Sequence, residues 1–182
     1  MAIFQTNIGS ILARVLLSKT KMTDNKKLTH IDQDGNPSMV DVGNKQTTVR
    51  HAHARATVLL PQEVMQQVKD QDIYTKKGAM FQTAIIAGTM GAKKTSELIP
   101  LCHPLSLDSC KFEIQIQGSN EVVIDCFVRV EGKTGVEMEA LTGASVAALT
   151  IYDMCKGLSQ NIVIKDTKLM QKTGGKTDFK RS

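Results

Sequence analysis

The sequence predicts an α+β fold: an antiparallel sheet of the ferredoxin-like, split βαβ kind, with its helices packed on one face. Two periodicities and their order predict it. Apolar residues alternate with polar ones where half-buried strands are expected, and recur three and four residues apart where helices are expected. Along the chain the segments run strand, helices, strand, strand, helix, strand, which is the split βαβ order.

The first strand falls in 47–60. Ala52, Ala54, Ala56 and Val58 lie on one face of it, and Val49, His51, His53 and Arg55 on the other. Pro61 suits a first helical position, where a missing N–H costs nothing, so a short helix is expected from Glu63 to Val68. A polar stretch to Lys76 carries no predicted element. Phe81, Ala84, Ile85, Gly88 and Ala92 then predict a helix from Gly78 to Glu97 that packs closely through its glycines. Cys110, Phe112, Ile114 and Ile116 alternate, Gly118-Ser-Asn120 turns the chain, and Val122, Ile124, Cys126, Val128 and Val130 alternate again, giving a hairpin. A long helix is expected from Gly135 to Leu158. The last strand is expected from Asn161 to Leu169, ahead of the basic tail Lys172-Thr-Gly-Gly-Lys176.

At 182 residues the chain suits one domain with a real core. Residues 28–182 are read as that domain. Residues 1–27 are apolar and basic with no acid before Asp24. They read better as a flexible arm, or an extension upstream of a start at Met22, than as an organelle-targeting peptide, the competing reading. Lysine and arginine exceed the acids by 23 to 18, a net charge of +5 spread along the chain, which tilts it toward anionic ligands. Cys102, Cys110, Cys126 and Cys155 show no metal or redox spacing and read as reduced, mostly buried thiols of a cytoplasmic protein. No run approaches the roughly 18 apolar residues of a membrane span.

The long helix is apolar nearly all round, from Val136 through Leu141, Ala147 and Ile151 to Met154. A single four-stranded sheet covers one side of a helix, so a homo-oligomer is expected. Thr134 and Glu137 have the spacing of a capping box, which is the preferred reading of Glu137. Glu139 has no such role and stands between Met138 and Ala140, where a surface acid and a functional one are equally good readings. Asp153 and Lys156 sit three apart, close enough to pair, among apolar neighbours that predict partial burial and a capacity to exchange protons. Glu139 and Asp153 are roughly 21 Å apart along the helix axis. If both act at one centre, the helix ends must come from different chains.

Cys102-His103-Pro104 offers an acid/base group or ligand, although a lone histidine is more often simply packed and hydrogen-bonded. His51 and His53 share a strand face, but without a nearby acid or cysteine they make a poor metal pair, and no metal site is expected. Lys77-Gly78 and the Lys172 to Lys176 tail combine cations with free backbone N–H groups, as phosphate sites do. The tail lacks the spacing of a Walker loop, and a flexible basic terminus is its competing reading.

Together, Leu28-Thr-His-Ile31, Met39-Val-Asp-Val42, Thr48-Val-Arg50, Lys77-Gly78, Ala87-Gly88, Leu98 to Leu105, Lys133 to Leu141, Leu149 to Lys156 and Lys172 to Lys176 resemble the cyclic pyranopterin monophosphate synthase family of molybdenum cofactor biosynthesis. The resemblance implies a ferredoxin-like subunit in a hexamer of three dimers with active sites at the dimer interface. It implies a lyase that converts a cyclised dihydro-GTP, made by a radical S-adenosylmethionine partner enzyme, into cyclic pyranopterin monophosphate and pyrophosphate. On this reading Asp153, Lys156 and Lys77 are catalytic. Leu101, Cys102, His103, Glu137, Met138, Glu139, Lys172 and Lys176 bind substrate. A magnesium ion on the triphosphate is compatible with the chemistry, but no carboxylate cluster in the sequence demands one.

The chain departs from the family at Ala79, where an acid is common. If that acid only caps a helix, the change costs stability; if it orients the lysine, activity suffers. Two alternatives remain open on sequence: an inactive structural partner of the upstream enzyme, and a nucleotide- or RNA-binding ferredoxin-like module. The second lacks its platform, because the chain has five Phe, two Tyr and no Trp, and no RNP-like run. Neither a nucleic acid nor a membrane is an expected partner.

Overall fold

The computed structural model describes residues 30–31, 34–69, 72–75 and 78–182. The expectations for residues 1–27 and for Lys77 lie outside them. The chain forms β1 (Thr48–Leu59), α1 (Gln62–Met65), β2 (Val68–Lys69), β3 (Asp72–Thr75), β4 (Gly78–Ala79), α2 (Met80–Lys93), α3 (Thr95–Leu98), β5 (Ser109–Gln117), β6 (Glu121–Gly132), α4 (Glu137–Cys155), β7 (Val163–Thr173) and β8 (Phe179–Lys180).

The main sheet has the order β5-β6-β1-β7-β8, antiparallel throughout. Its four long strands take the split βαβ order that the sequence predicts. Ala52, Ala54, Ala56 and Val58 are buried on the helix side of β1, so the alternation there is real. The small alanines lie beneath α4, which packs on β1, β6 and β7. Helices α2 and α4 also pack on each other. A Cβ at Gly88 would stand 2.9 Å from the Gly143 carbonyl oxygen and 2.6 Å from the Phe112 ring, so glycine is what allows this close crossing.

Five expectations need correction. Helix α1 stops at Met65, and Val68 instead opens β2, paired with Ile73. The stretch read as featureless contains β3, whose Asp72 and Ile73 are buried. Asp72 looks like a surface residue in sequence, but its carboxylate accepts the N–H groups of Ile73 (2.6 Å) and Phe81 (2.9 Å), which removes the cost of burying it. Helix α2 starts at Met80 because Gly78 has φ +106°, outside the helical region, and α3 is a separate turn beyond Lys94. Strand β7 continues to Thr173, so Lys172 belongs to the sheet rather than to a flexible tail, and β8 pairs beside it.

The fifth correction concerns α4, which is Glu137–Cys155 rather than Gly135 to Leu158. Its burial on a second side has an internal source, since α2 covers part of what the sheet does not. Ile86 and Met90, one turn apart on α2, and Leu149 on α4 are still more than half exposed. No helix among the described residues is long and apolar enough to cross a membrane.

Candidate active site

The N-terminal end of α4 faces a cavity of about 400 Å³. The loop before β5 contributes Leu101, Cys102 and His103 to its wall. The start of α4 contributes Glu137, Met138 and Glu139, and the connection from β6 contributes Thr134 and Gly135. Six of the residues singled out in sequence therefore meet in one place.

Glu139 is only 4% exposed. Burial raises its carboxyl to about 7, with a further push from the nearby Glu137 charge and partial relief from a backbone hydrogen bond. An acid titrating near neutrality can both give and take a proton in the cell. Burial also raises the Cys102 thiol, and the negative charge of Glu139 adds to the effect. Cys102 is thus a protonated, weakly nucleophilic wall residue at neutral pH. His103 donates from Nε2 to the carbonyl oxygen of Val40 at 2.8 Å, leaving Nδ1 as its other ring nitrogen.

Glu137 does not form the expected capping box. Val136 occupies the cap position of α4, and no side chain caps it. The Glu137 carboxylate instead folds back over Gly135, where a Cβ would collide with it, and pairs with Lys172 at 3.0 Å. Lys172 reaches it because it lies opposite Ala52 in the β1–β7 register and so points to the helix side of the sheet. Lys176 is exposed beyond the end of β7.

Asp153 and Lys156 pair at 2.7 Å, but the expectation of partial burial is wrong, since their side chains are 50% and 56% exposed. Ile151, Met154 and Cys155 take the inward positions of that last turn and leave 153 and 156 facing out. Pairing with Asp153 raises the lysine. The pair stands at the far end of α4 from Glu139, so one chain holds two separate groups of candidate residues.

His53 has an acid partner that sequence distance concealed. Asp125 on the neighbouring β6 accepts from His53, and Arg55 grips both of its oxygens at 2.9 and 3.0 Å. Burial pushes Asp125 up, but the hydrogen bonds from Arg55 and His53 outweigh it and hold the carboxyl below its usual value. The departure at Ala79 is also explained in part. Asp72 accepts from the second residue of α2, so that helix has an acid at its N-terminus without one at position 79.

Sequence reasoning missed the segment that forms the remaining wall of the cavity, including Val40, Val42 and Lys45. Met39-Val-Asp-Val42 was visible as a motif, but nothing in its spacing indicated that it would lie against a loop some sixty residues later.

A family model, described as the MoaC family, matches residues 39–175. The chain is 53% identical over 157 residues to the cyclic pyranopterin monophosphate synthase of Xanthomonas campestris pv. campestris (strain B100), covering 86% of this chain and 95% of that one. It is 51% identical over 158 residues to the molybdenum cofactor biosynthesis bifunctional protein of Synechocystis, covering 85% of this chain and 46% of that one. It is 49% identical over 171 residues to molybdenum cofactor biosynthesis protein 1 of Dictyostelium discoideum, of which it spans only 27%.

Proposed function

Because the chain belongs to the MoaC family, we propose that it is a cyclic pyranopterin monophosphate synthase. It is a lyase that takes a cyclised dihydro-GTP to cyclic pyranopterin monophosphate with loss of pyrophosphate. The observation that carries this reading is the buried Glu139 carboxyl, titrating near 7 in a cavity that it shares with Cys102 and His103. Rebuilding a purine-derived ring as a pterin requires protons to move on and off nitrogen and carbon, and groups with pKa values near ambient pH do this best. Displacing pyrophosphate requires cations around the developing charge.

In this reading Asp153 and Lys156 carry the proton transfers together with the Glu139 carboxyl of the cavity. Lys77, His103, Lys172 and Lys176 hold phosphate oxygens, and Leu101, Cys102, Met138 and Glu137 shape the pocket. The separation of Glu139 from Asp153, roughly 21 Å on a rigid helix, favours a site completed by a second copy. The exposed Ile86, Met90 and Leu149 favour association as well. A hexamer of three dimers working in the cytoplasm after a radical S-adenosylmethionine GTP cyclase is the corresponding assembly and pathway. Magnesium, if required, enters with the triphosphate.

The test is pyrophosphate release by purified protein supplied with the cyclised dihydro-GTP. Wild type turns over, and Asp153→Ala and Lys156→Ala each lose about 10²-fold or more, the usual worth of a positioned acid or base. A folded wild-type protein that releases no pyrophosphate would remove the proposal, and an Asp153→Ala variant with full turnover would remove its catalytic assignment.

A further inference from the structure

We infer that Lys45 is a further binding residue for the phosphate end of the substrate, and that Lys133 is the positioning residue that holds it at the cavity. The inference rests on the reading above. Lys45 lines the cavity, is exposed, and has no carboxylate partner among the described residues. Most other lysines near candidate groups are already engaged: Lys172 with Glu137, Lys156 with Asp153 and Lys133 with a backbone carbonyl. An unpaired ammonium at the rim of a cavity is suited to an anion.

Its placement is built rather than incidental. Residues 40–45 form a strap with its own turn, in which Gly43 N–H donates to Asp41 Oδ1 at 2.7 Å and Lys45 N–H to the Val42 carbonyl at 3.1 Å. Two side chains tie the strap to the rest of the fold. His103 donates to the Val40 carbonyl at 2.8 Å, and Lys133 Nζ to the Gly43 carbonyl at 2.6 Å. Lys133 is itself fixed, because Arg50 donates from Nε to the Gly132 carbonyl (3.1 Å) and from Nη2 to the Lys133 carbonyl (3.2 Å). The line of force runs from β1 through Arg50 to the loop after β6, then through Lys133 to the strap that carries Lys45. Lys133 thus acts through Gly43 and Lys45 rather than by touching the substrate.

Titration calorimetry with inorganic pyrophosphate, alongside steady-state turnover, tests the inference. Lys45→Ala weakens pyrophosphate binding about tenfold, as loss of one charge-assisted hydrogen bond would, and its kinetic loss falls more in KM than in kcat. Lys133→Met shows the same KM-weighted loss, and Lys133→Arg recovers most of it, since a guanidinium can still donate to the Gly43 carbonyl. Pyrophosphate affinity and KM both within about twofold of wild type in a folded Lys45→Ala protein would overturn the inference, as would absence of pyrophosphate binding by wild type. A wild type that binds pyrophosphate but turns nothing over would defeat the functional reading alone, and the binding comparison would still decide the role of Lys45.

Discussion

Glu139 owes its proton affinity to position. A glutamate ordinarily titrates near 4.5, and burial brings this one to about 7, so between those values the folded state holds a proton that the unfolded state has lost. Stability from this group is therefore fully present at low pH, falls as pH rises from about 4.5 to 7, and is lower by on the order of 3 kcal/mol above that window. Glu139→Gln removes the charge that must be desolvated. Urea unfolding should find the variant more stable than wild type at pH 8, with the gap closing at pH 5; parallel pH profiles would show that Glu139 titrates normally. The sequence exposed Glu139 because an acid between Met138 and Ala140 on an apolar helix is anomalous. It hid Lys45, because a lysine in a polar loop is ordinary until the fold brings that loop to His103.

The elements were legible where one physical pattern ruled. The alternation of β1, β5 and β6 and the glycine spacing of α2 are local signals that the tertiary structure keeps. The crossing of α2 and α4 carries a prediction of its own. Gly88→Ala places a methyl against Phe112 and the Gly143 carbonyl, and should cost roughly 1–3 kcal/mol in urea or thermal unfolding despite alanine's better helix propensity. Gly157→Ala, with open space around it, should stay within about 0.5 kcal/mol of wild type. Equal stability of the two variants would mean that the crossing is loose. The small sheet of β2, β3 and β4 was not legible, because its strands are short and its one buried acid is satisfied by the backbone N–H groups of Ile73 and Phe81, which no side-chain pattern announces. Asp72→Ala should lose about 1–2 kcal/mol as the Ile73 and Phe81 N–H groups lose their acceptor; an unchanged midpoint would make that cap decorative.

For the molecule as a whole, the division of α4 matters most. Its first turn holds Glu137 and Glu139 against the cavity, and its last turn presents Asp153 and Lys156 outward. Sequence alone offered the fourteen-residue spacing, and with it the requirement of two chains if both groups act at one centre. It did not give the exposure of the second pair, because neighbours in sequence on a helix face different directions. Under the proposed function the two ends are halves of two active sites, each completed by a partner copy. The most direct test is complementation, in which Glu139→Ala and Asp153→Ala proteins, each inactive, are co-refolded and pyrophosphate release is followed. Sites shared between copies predict recovery of about a quarter of wild-type activity, since random pairing makes half the dimers mixed and each mixed dimer regains one of its two sites. Mixed oligomers confirmed by mass spectrometry that remain inactive would contradict the shared site.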